Sequence, residues 1–294
     1  MIRYSVSLKD LRSRIEAQTP GWLARAALKT EEFRAKGRYE EPSSIWSEIK
    51  AVYMRLQGQG KCAYCERKLE SVVYGKVEQD VEHFRPKASV KAWPGLKSFT
   101  GMPFSAAPTA GQGYYLLPYH LFNYAAACKP CNSTLKKDYF PVAAAHKLSV
   151  DDPKSLVDEQ AYLVYPIGSI DEDPERLIGF EGTSPRARAR SGHRRNRALV
   201  TIAFFKLDDE AGRKNLFRER AMVLLALYPQ LEKATHGTTP TERSKAQAVV
   251  DGFERSDHVA HANCARSYIR LYRTRPVTAR EFYEAAGQLV LSIS

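Results

Sequence analysis

Two Cys-x-x-Cys pairs constrain this chain more than any other feature: "KCAYCERK" holds Cys62 and Cys65, and "ACKPCNSTLKK" holds Cys128 and Cys131. Thiolates so spaced form two knuckles that close on one tetrahedral zinc ion, which draws together segments lying 62 residues apart. Four thiolates fill the coordination shell, so no position is left for water and the expected Zn2+ is structural. A disulfide framework belongs to oxidising compartments. The opening "MIRYSVSLKDLRSRIEAQTP" has no apolar signal-peptide core, and no apolar run reaches membrane-spanning length. The expectation is a cytoplasmic protein, away from membranes, whose thiols stay reduced.

The text around the cysteines is mostly helical. "SVSLKDLRSRIEA" offers Ser7 as N-cap, with Leu8, Leu11 and Ile15 at helical spacing. A second helix follows Pro20-Gly21. A third, capped by Ser43 or Ser44, carries the stripe Ile45, Ile49, Val52 and Leu56 and stops at Gly58 and Gly60. "KVEQDVEHF" alternates as a strand does, and residues 88–113 read as a long, mobile Gly/Pro/Ser-rich loop. Beyond Pro141, short strands near the Asp-Pro pairs precede five further helices. These readings divide the chain into an N-terminal helical region (1–57), a metal-bearing core (58–145, with 88–113 inserted) and a mainly helical C-terminal region (146–294).

"QDVEHFRPKAS" sets Glu82 and His83 side by side, with Arg85 and Lys87 close behind. With the zinc closed by thiolates, His83 is not needed as its ligand. Near neutral pH an imidazole can take a proton from water, which is the work of a general base. Glu82 offers a hard oxygen suited to Mg2+ or Mn2+, and Asn132, next to Cys131, could complete such a site. An ion held there would stabilise charge developing on a phosphate, and Arg85, Lys87, Lys136 and Lys137 would face that phosphate. Asp80 shares a strand face with Glu82, which makes it either an outlying metal ligand or a solvated charge. An isolated Glu-His pair is more often structural than catalytic; the nearby asparagines and zinc knuckle raise the functional reading.

The combination "CAYC…DVEHFRPK…LFNYAAACKPCNSTLKKDYFP" resembles the HNH endonucleases of the zinc-ribbon type, whose core is the ββα-metal (His-Me finger) fold. The likeness covers residues 62–141. It implies that His83 is the general base, Glu82 the acidic metal ligand, Asn123 the brace that helps orient the histidine, and Asn132 the last metal ligand. It implies structural zinc at the four cysteines. A narrower resemblance, to the HNH subunit (PtuB) of the Septu anti-phage system and its retron-associated relatives, implies an ATPase partner. The fold expected is α+β: a zinc-braced ββα-metal core embedded between mainly α-helical regions. The function expected is metal-dependent hydrolysis of DNA phosphodiester bonds, and cutting both strands would call for a homo-oligomer. RNA as substrate, or a zinc-ribbon module that binds nucleic acid or a partner without cleaving, are the competing readings.

A net charge of +12 suits a polyanionic partner. The excess is densest in "SPRARARSGHRRNR", where Arg186, Arg188 and Arg190 are candidate phosphate contacts, although a solvated basic loop or a grip on an acidic protein would read the same. His258, His261 and Cys264 mimic a second metal set, but three ligands from one helix rarely converge, so a structural role is expected. No P-loop and no G-x-G-x-x-G occurs, so any nucleotide hydrolysis must come from a partner.

Overall fold

The first helix, α1 (Leu8–Gln18), opens as its sequence requires. Ser7 accepts from the Asp10 amide at 3.0 Å and donates its hydroxyl to the Asp10 carboxylate at 2.7 Å, while Leu11 and Ile15 turn inward. This computed structural model describes residues 1–71, 73–74 and 78–292. Gly21 precedes α2 (Trp22–Lys36), which buries Trp22, Ala26 and Phe33.

The third helix is shorter than its apolar stripe suggests. Neither Ser43 nor Ser44 caps it; a 3-10 turn at Trp46–Ile49 leads into α3 (Lys50–Leu56). The reason is tertiary. The Ile45 carbonyl is shared between the Glu48 amide at 3.2 Å, which closes the 3-10 turn, and Trp22 Nε1 at 2.9 Å, and its amide donates to the Tyr119 hydroxyl at 3.3 Å. After α3 the chain turns at Gly58, where φ is +60° and a Cβ would lie 2.0 Å from the Asp257 carbonyl. Only glycine lets those two backbones approach so closely.

Strand β1 (Gln79–His83) pairs antiparallel with β2 (Tyr124–Cys128), placing Glu82 opposite Ala125 and His83 opposite Tyr124. Lys76 and Val77, the first residues of the alternation read for this strand, lie outside the described residues. All of β2 is buried, and its small side chains admit Gln57, which accepts from the Ala126 amide at 2.7 Å and donates to its carbonyl at 2.8 Å. Directly after β2 comes a wide π-helical segment, Pro130–Lys136, closed by an i→i+5 bond from the Lys137 amide to the Asn132 carbonyl at 2.8 Å.

The C-terminal half carries the short helix α4 (Pro174–Leu177), a hairpin of β3 (Ile178–Glu181) and β4 (Ser184–Ala187), and the helices α5 (Gly192–Phe204), α6 (Lys214–His236), α7 (Pro240–Arg255), α8 (Ala262–Thr274) and α9 (Pro276–Ser292). The molecule is thus α+β, with two small sheets among the described residues. One buried cluster runs from Met1 through the strands to Leu216, with Ala262 of α8; another lies among α6 to α9.

The 88–113 segment is irregular, as read, yet seated on the body. Its ends meet where the Val90 amide donates to the Gln112 carbonyl at 2.9 Å. Trp93 packs on Phe204 at 4.9 Å and Phe104 on Tyr162 at 4.7 Å, so the aromatic content of a loop that looked free holds it down.

Candidate active site

The four knuckle cysteines are buried, and their sulfurs all lie within 4.8 Å of one another. Cys65 Sγ and Cys128 Sγ are 3.8 Å apart. Zinc–thiolate bonds of about 2.3 Å at tetrahedral angles demand a sulfur–sulfur spacing of about 3.8 Å, so the donor set fits zinc in both chemistry and size. Glu66, next in the chain, takes the left-handed conformation at φ 62° and is held by Asn263, whose amide donates to it at 3.3 Å. Arg213, between α5 and α6, lays two N–H groups on Cys131 Sγ at 3.7 and 3.8 Å, where its charge would offset the negative charge left by four thiolates around one Zn2+. No sequence signal pointed to Arg213. Among the described residues this is the one His/Cys/Asp/Glu cluster suited to a metal. His261 is instead bonded to Glu219 at 3.0 Å, and Cys264 donates to the Gly182 carbonyl at 3.4 Å, which leaves that trio structural.

At the end of β1, Glu82 and His83 are 3% and 8% exposed. His83 Nε2 lies 3.1 Å from the Pro118 carbonyl, to which the Tyr124 hydroxyl also donates. A carbonyl only accepts, so Nε2 carries the proton and the lone pair of the neutral ring is on Nδ1. Trp46 and Tyr124 meet the imidazole edge-on at 4.8 and 5.1 Å. Burial, with Lys87 adding to it, holds the imidazole well below its ordinary range, so it is neutral at physiological pH.

Glu82 faces Lys136. Their charged atoms are 3.3 Å apart without an aligned hydrogen bond, and both groups are shut from solvent. Burial pushes the Glu82 carboxyl up to about 7 against the pull of Lys136, and burial lowers the Lys136 ammonium. The charges of Lys87 and Lys136 act on both Glu82 and His83.

Asn123 spans the turns that flank the two strands. Its Oδ1 accepts from the Arg85 amide at 2.7 Å, and its Nδ2 donates to the carbonyls of Arg85 at 3.1 Å and Leu117 at 3.0 Å. Those turns carry Pro118, which holds the imidazole. Asn132 is half-buried on the π-helical segment, about one turn before Lys136, and its side chain makes no hydrogen bond among the described residues.

The other expected phosphate contacts divide. Arg85 and Lys136 do not face outward as expected: Arg85 is buried against Glu159 at 3.2 Å and over the Phe140 ring, and Lys136 is buried at Glu82. Neither could have been placed from sequence, because Glu159 lies outside the motif and a lysine in a short helix has no burial signature. Lys87 is half-buried, its ammonium 4.5 Å above the Trp46 ring. Lys137, Arg186, Arg188 and Arg190 are exposed. Asp80 pairs with Lys129 at 3.2 Å on the surface, the solvated-charge alternative. His120 accepts from the Phe122 amide at 3.1 Å and so caps the turn leading to Asn123. Two concavities of 590 and 370 Å³ lie elsewhere, and neither is lined by Glu82, His83 or Asn132. No described helix is long and apolar enough to cross a membrane.

Fold and site together define an α+β protein with a buried cluster of four cysteines suited to zinc, set against a two-stranded sheet that ends in Glu-His. Among curated proteins the chain is similar to Septu protein PtuB of Bacillus mycoides (strain KBAB4), with 27% identity over 124 residues. That match takes in 42% of this chain and 36% of the relative's length. No family model matches the chain, and no solved structure matches it.

Proposed function

We propose that this protein is a metal-dependent HNH endonuclease that hydrolyses DNA, acting in anti-phage defence beside an ATPase partner. The observation that carries the reading is His83: pinned through Nε2 to the Pro118 carbonyl and kept neutral, it directs a basic Nδ1 from a strand end beside a buried carboxylate. Such an imidazole takes a proton from water as the oxygen attacks phosphorus. The P–O3′ bond breaks, and the 3′ oxygen leaves as the alcohol once protonated from solvent. Glu82 and Asn132 would hold a Mg2+ or Mn2+ ion. The Glu82 oxygen fits that role because it is buried without an aligned hydrogen bond. When bound, the ion supplies charge stabilisation for the phosphate and the leaving oxygen. Asn123 fixes the turns that aim His83, and Lys87, Lys137, Arg186, Arg188 and Arg190 supply positive charge for the backbone. Similarity to a Septu protein supports the defence setting, and the absence of a phosphate-binding loop leaves nucleotide hydrolysis to the partner.

The burial of Glu82 and His83 favours a second reading, a zinc-braced module that binds without cleaving. Plasmid cleavage with Mg2+ or Mn2+ separates the two. His83→Ala is expected to bind duplex DNA as the parent does and to cleave about 10²- to 10⁴-fold more slowly, the usual worth of a general base. Equal cleavage by parent and variant would remove His83 from the chemistry. A parent inert on duplex DNA, single strands and tRNA, alone and with its partner, would leave the binding module.

A further inference from the structure

Four arginines from separate elements line one open concavity of 440 Å³: Arg176 of α4, Arg188 after β4, Arg194 of α5 and Arg270 of α8. Glu175 is its one acidic lining residue, and that carboxylate is already taken by Arg266 at 2.6 Å. Arg194 is paired with Glu172. Arg176, Arg188 and Arg270 have no ion-pair partner among the described residues.

The arrangement is built rather than incidental. The buried Ser267 hydroxyl oxygen is shared by three donors, the Phe180 amide at 3.2 Å, Arg188 at 3.3 Å and Arg270 at 3.1 Å, and itself donates to Asn263 Oδ1 at 3.2 Å. One neutral oxygen thus brings two guanidinium groups that repel each other to the same point. Burial first, and then the Arg188 charge, hold the Arg270 guanidinium below its ordinary range. Arg188 is seated by Gly179: a Cβ there would lie 2.8 Å from the guanidinium carbon. Two guanidinium groups held side by side, with Arg176 on the same concavity, match an anion with several oxygens better than a carboxylate, which one fork saturates.

We propose that this concavity is a phosphate-binding site, in which Arg176, Arg188 and Arg270 grip one phosphoryl group. Its source is either a backbone phosphate of a nucleic acid or the phosphates of a free nucleotide, which share this chemistry. For Arg188 the inference deepens the nucleic-acid reading above. It does not depend on Glu82, His83 or Asn132, and a chain with no hydrolytic activity would carry the same site.

The test uses the full chain with His83→Ala, so that cleavage plays no part. Binding of a 20-base-pair duplex is followed by fluorescence anisotropy across a salt series, and binding of ATP and inorganic pyrophosphate by calorimetry. Arg188→Gln/Arg270→Gln is compared with Lys9→Gln/Arg14→Gln, which removes equal charge from exposed positions on α1, and melting curves check that both fold. If the site takes backbone phosphate, the pocket variant binds duplex about tenfold more weakly and its log K versus log salt slope is shallower by about 1, while the α1 variant changes less. If it takes a free nucleotide, the pocket variant loses ATP and pyrophosphate binding and keeps duplex binding. Ser267→Ala should give a smaller loss of the same kind, because the guanidinium groups remain without their shared acceptor. The proposal is overturned if neither probe distinguishes the pocket variant from the α1 variant. An acidic protein as the occupant would give that result.

Discussion

Asn123 is the residue whose loss the structure makes most costly near the site. It satisfies one buried donor and two buried acceptors on separate turns; truncation would orphan the Arg85 amide and carbonyl, while the Leu117 carbonyl would keep the His120 amide at 3.2 Å. Asn123→Ala should lower unfolding free energy in urea by about 2–4 kcal/mol. Asn123→Asp should be no better, since a carboxylate cannot donate to the Arg85 and Leu117 carbonyls; if Asp matched wild type, the bracing role would be wrong. His120 supplies a pH dependence whose sign can be worked out. Burial lowers its pKa from 6.5 to about 4, so between those values the unfolded chain binds the proton and the folded chain does not. Stability is therefore full above pH 6.5 and declines as pH falls toward 4, with about 2 kcal/mol lost at pH 5. His120→Asn keeps an acceptor for the Phe122 amide and removes that titration. Urea melts at pH 7 and pH 5 should show the variant losing less than wild type on acidification. At this scale the sequence was informative about residues adjacent in the chain: Glu82, His83 and Asn132 stand out by type and spacing. It was silent about partners brought in by folding. Pro118 is 35 residues from His83, and nothing in a proline carbonyl marks it as an acceptor.

Among elements, the knuckles do what strand pairing alone would not. A five-residue pair of strands is marginal in water, and here it is closed at one end by cysteines from the α3–β1 connection, from the last residue of β2 and from the helical segment after it. A structural zinc site contributes about 10–16 kcal/mol of apparent binding energy, so an ion held by these four cysteines would carry much of the fold's stability. Metal analysis should find about one zinc per chain, and chelation should lower the melting temperature by about 10 °C or more, with zinc but not Mg2+ restoring it. Melting that ignores chelators would mean four thiols packed without metal. The first helix was legible because apolar period and cap coincide at Ser7. The third helix was misread at its start because the Ile45 amide is held by Tyr119 and its carbonyl is shared with Trp22. The packing of the 88–113 loop on the body was not legible because its aromatic anchors, Phe204 and Tyr162, lie far along the chain.

On the scale of the whole molecule, net charge was legible and its distribution was not. The excess of basic residues suggested a polyanion, but Arg85 and Lys136 are spent on internal ion pairs, and Arg176 and Arg270 meet only through tertiary packing. Nor did the sequence show how tightly the C-terminal helices join the segment that carries the cysteines. Lys61, beside the first knuckle, donates to the Val259 carbonyl at 2.9 Å, and the Asn263 amide of α8 donates to the Glu66 carboxylate at 3.3 Å. On the hydrolytic reading, this single body has one Glu82–His83 pair and therefore one activated water. The two strands of a duplex run in opposite directions, so one site that has cut one strand is not aligned with the other. A second cut needs a second copy, turned about the duplex. With supercoiled plasmid in excess, nicked circles should then appear first, at a rate proportional to protein concentration. Linear molecules should follow with a steeper dependence on concentration, and forced dimerisation should shorten that lag. A protein that sediments as a monomer and yields linear plasmid with no nicked intermediate would contradict the one-site, one-strand account, because a single imidazole would have had to serve both strands within one encounter.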